Sequence, residues 1–288
     1  MLAASDLLAG IAEGIIETCS YTLLAQKFAD VLSQAVGHAE AWIGVGTFFG
    51  PFIGGALFSL AGFSGPSSLL SVSMLTLAFV AICFSQPKLS CYIALDEGDH
   101  DEDSKQHCLR RADRLVFGAS AASALLSGAV CGIYAPLLSE YYTTTFLWSE
   151  AVVGQLFAAA GAFYMATASQ AGRICDSGPA QARASVILGG VLVAMALWLC
   201  TAANPLLSVA GLFLIGASTA MLQVPVLGLL EQSVAEGCDV GLPASVANGA
   251  HALGSGLSPL LAMPFREEVG FEEAMEVCGM IATCATLG

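Results

Sequence analysis

Two glutamates interrupt the first long apolar stretch of the chain. Glu13 and Glu17 are four residues apart, so a helix would place both carboxylates on one face. Two neighbouring carboxylates in apolar surroundings can share a proton or hold an organic cation. We therefore take them as candidates for proton exchange or cation binding. The alternative is that they lie in a short outer half-helix and face water.

Three further polar side chains lie inside apolar stretches. Asn248 and His251 are one helical turn apart, and His251 could exchange protons if it faced a translocation path. A histidine that is hydrogen-bonded between helices is an equally good interpretation. Gln223 stands two residues before Pro225. We take Gln223, Asn248 and His251 as candidates for lining a path for substrate or protons.

Glycines and a proline recur at helical spacing in the second apolar stretch. The pattern G-x-x-x-G-P-x-x-G-G has the members Gly46, Gly50, Pro51, Gly54 and Gly55. Glycines four residues apart let two helix backbones approach closely, and proline frees a carbonyl and permits a bend. The pattern is therefore typical of a helix-packing groove, with or without a role in coupling.

Motifs of other kinds of chemistry are missing from the sequence. No two of the ten cysteines form C-x-x-C, and no phosphate-binding G-x-x-x-x-G-K-[ST] occurs. The acidic stretch 96–103 has histidines in and beyond it, but no regular element would fix them as metal ligands, so a solvated linker is the better interpretation. The net charge of −14 argues against a nucleic-acid partner. We expect no enzymatic activity, no metal and no cofactor.

The amino-acid composition indicates that membrane-spanning helices hold these candidate residues in place. The chain has 56% hydrophobic and only 11% charged residues, whereas a soluble domain carries about 25% charged residues. The apolar residues come in blocks of about 20, the length that a helix needs to cross roughly 30 Å of hydrocarbon. The fold class that this predicts is an all-α integral membrane protein.

Nine apolar blocks between polar breaks predict nine membrane-spanning helices. Their expected bounds are 7–27, 41–62, 67–86, 115–139, 149–170, 184–203, 205–230, 243–264 and 270–288. The first and last blocks are the least regular because glutamates interrupt them.

The lysines and arginines predict the orientation, since these residues concentrate in cytoplasmic loops. With nine spans, one side of the membrane receives Lys27, Lys88, Lys105, Arg110, Arg111, Arg114, Arg173 and Arg183. The other side receives Arg266 alone. The loops 28–40, 87–114, 171–183 and 231–242 are therefore expected in the cytoplasm.

An internal repeat predicts the architecture. Segments 46–63 and 254–271 align without gaps, and the alignment pairs Gly46 with Gly254 and Gly62 with Gly270. The second and eighth spans are thus related, six spans apart and in the same orientation. A parallel six-span repeat is the plan of the two halves of major facilitator transporters.

On these residues the chain resembles the drug:proton antiporter branch of the major facilitator superfamily, and within it the vesicular amine and polyamine transporters. The glycine–proline pattern resembles the antiporter motif of that branch's fifth helix. Residues Gly172, Arg173 and Asp176 resemble the G-x-x-x-D core of a cytoplasmic loop motif that latches one conformation. Pro225 and Gly228 resemble residues of the vesicular amine transporters' tenth helix.

The resemblance implies a bundle of about nine helices that are equivalent to helices 4–12 of the family. Residues 1–86 would be the second half of an N-terminal six-helix bundle, residues 87–114 a cytoplasmic acidic linker, and residues 115–288 a C-terminal six-helix bundle. The implied activity is alternating-access exchange of a small organic cation or amine for protons. We expect a monomer in the lipid bilayer, in the plasma membrane or a vesicle membrane. The alternative is a truncated membrane protein, or an incomplete gene model of a transporter, that transports nothing.

Overall fold

The computed structural model describes residues 2–62, 64–95, 114–234 and 241–287. The regular elements in these ranges are helices. They are α1 (Leu2–Lys27), α2 (Leu32–Ala61), α3 (Ser64–Leu95), α4 (Arg114–Thr145), α5 (Glu150–Cys175), α6 (Pro179–Cys200), α7 (Pro205–Gln223), α8 (Val226–Ser233), α9 (Gly241–Val269) and α10 (Phe271–Leu287).

Each of the nine predicted spans corresponds to one helix or to one broken helix. The seventh span is the broken one, because α7 ends at Gln223 and Pro225 immediately precedes α8. A proline cannot donate the backbone hydrogen bond that would continue the helix. Among the described residues, four stretches are long and apolar enough to cross a membrane by length and composition: 114–145, 150–175, 179–200 and 205–233.

Two helix boundaries differ from the predicted ones more than the others do. Helix α2 begins at Leu32 rather than at residue 41, after a single 3₁₀ turn over Ala29–Val31. Helix α3 continues to Leu95, into the segment predicted as a linker. The acidic stretch 96–103 itself lies outside the described residues. Apolar blocks underestimate helix length here because helices continue past the hydrocarbon layer into polar sequence.

We refer to α1–α3 as the N-terminal helices and to α4–α10 as the C-terminal helices. The largest apolar cluster lies among the C-terminal helices, around the fully buried side chains of Tyr142, Leu212 and Met275. The two groups contact each other mainly through two helix pairs, α2 with α5 and α1 with α9. An apolar cluster that includes Leu32 and Ala244 also joins the two groups.

The internal repeat is visible in the backbone. Gly62 ends α2 with a φ of 60°, and its aligned partner Gly270 ends α9 with a φ of 95°. Both values lie in the left-handed region, which glycine adopts without steric strain at the ends of helices. The two copies therefore end their helices in the same way.

Candidate functional site

A buried carboxylate lies where the N-terminal and C-terminal helices meet. Glu40 is 3% exposed and belongs to the third turn of α2, about 12 Å along the helix axis from Leu32. The sequence analysis had placed Glu40 at the end of a cytoplasmic loop, and the early start of α2 corrects this. Ser33, Gly37 and Gly44 are buried on the same face as Glu40. This face packs on α5.

Two tyrosines hold the Glu40 carboxylate, one from each group of helices. The Tyr21 hydroxyl on α1 donates to Oε1, and the Tyr164 hydroxyl on α5 donates to Oε2. Each oxygen of this group therefore has its own hydrogen-bond donor. The carboxylate is thus fixed in position by both groups of helices at once.

Close helix packing surrounds this carboxylate. A Cβ atom added at Gly37 would lie 2.5 Å from the Ala168 carbonyl oxygen, and one added at Gly44 would lie 2.8 Å from the Met165 Cβ atom. Such distances are well below ordinary van der Waals contact. The glycines therefore let α2 approach the backbone of α5 on either side of Glu40.

Two buried amides lie next to the same face of α1. The Asn248 amide nitrogen donates to the Thr18 hydroxyl over 3.3 Å, and the Gln223 amide interacts with the Tyr21 hydroxyl. Thr18 and Tyr21 are three residues apart and hence neighbours on the helix surface. The Oε1 atom of Gln223 and the Oδ1 atom of Asn248 are buried and have no hydrogen-bond partner among the described residues.

A cavity of about 440 Å³ opens between α1 and α9. Its lining includes Glu17 and Thr18 from α1, and Ser245 and Asn248 from α9. The volume is in the range of about 300–1,000 Å³ that is typical of small-molecule sites. The cavity therefore has room for a small organic solute beside a carboxylate and an amide.

The structure brings most of the predicted site residues together. Glu17 and Asn248 line the same cavity, and Gln223 lies beside Tyr21. His251 is one turn from Asn248, and its Nδ1 atom is buried with no partner among the described residues. The side chain of Glu13 lies outside the described residues. Glu40, Tyr21 and Tyr164 were missed by the sequence analysis.

The loop-motif aspartate joins α5 to α2. Asp176 accepts hydrogen bonds from the backbone nitrogens of Ser33, over 2.9 Å to Oδ1, and of Gln34, over 2.8 Å to Oδ2. A Cβ atom at Gly172 would lie 2.5 Å from the Ser33 carbonyl oxygen, so glycine permits this approach. The side chain of Arg173 is exposed.

The glycine–proline pattern of α2 has its first glycines on an open face. A Cβ atom at Gly46, Gly50 or Gly54 would have no described neighbour within 4 Å. Pro51 and Gly55 lie outside the residues whose side-chain surroundings are described. In the second copy of the repeat, by contrast, a Cβ atom at Gly254 would clash with the Leu125 carbonyl oxygen on α4. The packing role predicted for the first copy stays a prediction.

Comparison with known proteins identifies the architecture. No protein-family model matches the chain. A human protein described as the organic anion transporter MFSD10 (TETRAN) superposes with a TM-score of 0.69, over 94% of this chain and 66% of that chain, at 17% sequence identity. The fold is that of a major facilitator transporter. This confirms the predicted fold class and the predicted integral, multi-pass membrane placement.

Curated relatives extend the resemblance to the sequence. The MFS-type transporter SLC18B1 of Mus musculus is 22% identical over 281 residues, which are 93% of this chain and 59% of that protein. The Rattus norvegicus protein of the same name is 24% identical over 284 residues, which are again 93% and 59%. The Homo sapiens protein is 22% identical over 285 residues, 94% of this chain and 60% of that protein. The resemblance to major facilitator transporters is confirmed, and the chain spans about 60% of the length of these relatives.

Proposed function

We propose that this major facilitator chain moves a small organic cation across a membrane by alternating access, in exchange for protons. The observation that carries the proposal is the cavity between α1 and α9, which Glu17 and Asn248 both line on two of the predicted spans. An ionisable residue at membrane depth costs about 3 kcal/mol on insertion scales, so such residues tend to serve function. The names of the curated relatives, which are MFS-type transporters, agree with this.

The carboxylate and the amides suggest the substrate class. A carboxylate attracts a cation, and amide oxygens accept hydrogen bonds from the N–H groups of an amine. Gln223 and Asn248 each present such an oxygen without a partner among the described residues. In this proposal Glu17 holds the cation, and a proton that reaches the carboxylate from the acidic side releases it. His251 and Glu13 are further candidates for the proton path.

We further propose that the contact between α2 and α5 works as the latch of the transport cycle. Residues 1–86 and 115–288 would belong to two six-helix halves that rock about the midplane site, with residues 87–114 as the cytoplasmic linker. Asp176 would hold the cytoplasmic end of α2 in one conformation through the amides of Ser33 and Gln34. The glycine–proline pattern at Gly46 to Gly55 would set how α2 packs as the halves move.

Uptake into proteoliposomes tests the proposal. The chain is reconstituted with an acidic lumen, and accumulation of a radiolabelled monoamine and of a polyamine is followed with and without a protonophore. We expect uptake that collapses with the gradient and that falls at least tenfold in Glu17→Gln. The matched control is Glu150→Gln, which alters an exposed acid in the first turn of α5.

An organic anion is the competing substrate, because the structural neighbour MFSD10 is described as an organic anion transporter. Uptake of an aromatic carboxylate in place of the amines would overturn the cation proposal. No uptake of either class would favour a second candidate function, a membrane protein that transports nothing by itself.

A further inference from the structure

Glu40 is a buried carboxylate without a charged partner. Its two oxygens accept hydrogen bonds from Tyr21 and Tyr164, and no lysine, arginine or histidine nitrogen in the described part of the chain forms an ion pair with it. Hydroxyl groups supply hydrogen bonds but no positive charge. A lone charge is strongly unfavourable in an apolar interior. The site around Glu40 is therefore electrically neutral only when it holds a proton or a cation.

Two buried acceptor oxygens belong to amides that contact α1, one at Tyr21 and one at Thr18. Gln223, which is 6% exposed, meets the hydroxyl of Tyr21 and keeps a buried carbonyl oxygen without a partner among the described residues. Asn248, which is 4% exposed, presents a second such oxygen one helical turn along α1, at Thr18. An ammonium group carries the positive charge that is lacking here, and its N–H groups can donate to acceptor oxygens such as those of Gln223 and Asn248.

The other titratable groups near this carboxylate come from three helices. Glu17 lies near Tyr21 on α1, Cys131 on α4 lies near both Glu40 and Tyr164, and Tyr164 belongs to α5. None of these side chains is a cation at neutral pH. The groups that face Glu40 therefore cannot neutralise its carboxylate, and a proton or a bound cation must do so.

We propose that Glu40 is a second carboxylate, besides Glu17, at which the transported ammonium ion and a coupling proton replace each other. This inference rests on the proposed function and adds a residue that the sequence analysis did not consider. When the ammonium ion binds, the carboxyl group loses its proton to water on the open side of the membrane. When a proton returns, the ammonium ion leaves. Tyr21 and Tyr164 keep the two oxygens in place in both states.

Carbodiimide labelling tests this inference on the unmodified chain. Dicyclohexylcarbodiimide reacts with protonated carboxyl groups in apolar sites, and peptide mass spectrometry locates the adduct. We expect an adduct at Glu40 that forms less readily as pH rises. Butylammonium should suppress it at least tenfold, whereas butan-1-ol, a neutral molecule of equal length, should not. An unlabelled Glu40, or labelling that butylammonium leaves unchanged, would overturn the inference.

A variant series provides the second measurement. In Glu40→Gln, which keeps the size and an acceptor oxygen, we expect butylammonium binding to weaken about tenfold to a hundredfold and the accompanying proton release to vanish. Glu40→Asp keeps the charge and should retain proton release. Glu150→Gln is the control. Proton release that persists in Glu40→Gln would overturn the inference.

The two proposals can fail separately. Protected labelling of Glu40 without uptake into proteoliposomes would support the exchange site and contradict transport by this chain. Gradient-driven uptake that Glu40→Gln leaves intact would support transport and contradict the exchange site.

Discussion

Two carboxylates on the α2–α5 contact have opposite surroundings. Asp176 faces the first backbone amides of α2, which have no partner within the helix and lie at the positive end of its dipole. Glu40 lies two turns further into the same helix and meets only hydroxyl groups. The first carboxylate is therefore satisfied as an anion, and the second is not. We therefore expect a structural role for Asp176 and a role in proton and cation exchange for Glu40.

Asp176→Ala should destabilise the protein by about 0.5–2 kcal/mol, the usual effect of removing a side chain that caps a helix N-terminus. Thermal unfolding in detergent micelles measures this. Asp30→Ala, which removes an exposed acid just before α2, is the matched control and should change stability by less than about 0.5 kcal/mol. Equal effects of the two substitutions would contradict the capping role.

Some site residues could be predicted from the sequence and others could not. Glu17, Gln223 and Asn248 stand out because they interrupt apolar blocks, and the structure places Glu17 and Asn248 at one cavity and Gln223 against Tyr21. Glu40 precedes its apolar block, so a hydropathy reading assigns it to a loop. Its neighbours carried a signal, since the buried positions Ser33, Gly37, Glu40 and Gly44 follow helical spacing. Tyr21 and Tyr164 could not be paired with Glu40 without knowing that α2 packs on α5.

The presence of each helix was easier to predict than the residues at which it begins and ends. Length and hydropathy locate a helix for all nine spans, because a chain in hydrocarbon must satisfy its backbone hydrogen bonds internally. The ends were harder, since the first turns of α2 are polar and receive their cap from Asp176, which is 143 residues away from Ser33. A contact so distant in sequence leaves no local pattern.

The α4–α9 contact offers a matched pair of glycines for a packing test. A Cβ atom at Gly254 would clash with the Leu125 carbonyl oxygen, whereas one at Gly256 would meet nothing within 4 Å. Gly254→Ala should therefore destabilise the protein by about 1–3 kcal/mol, as expected for overpacking. Gly256→Ala should be neutral or slightly stabilising, because alanine favours a helix by about 1 kcal/mol over glycine. Unfolding in mixed micelles measures both, and equal effects would contradict the close packing.

For the molecule as a whole, the nine expected spans and the uneven distribution of lysine and arginine predict one membrane topology, with residues 87–114 and 171–183 on the same side. Eight of the nine lysines and arginines fall on one side when the nine spans alternate. We expect cysteines placed at positions 105 and 177, in a cysteine-free background, to react with an impermeant maleimide from the same side of sealed vesicles. A cysteine at position 268, next to Arg266, is the opposite-side control. Labelling of positions 105 and 177 from different sides would contradict the topology and the transport proposal with it.

The spacing of α2 and α5 has a mechanical consequence. Gly37 and Gly44 bring the two backbones nearest to each other on either side of Glu40. Two helices that are in close contact along one segment can change their crossing angle about it, so their far ends move more than the contact segment does. We expect Glu40 to lie in such a contact segment. Water would then reach this carboxylate first from one end of the crossing and later from the other, while its two tyrosines stay where they are.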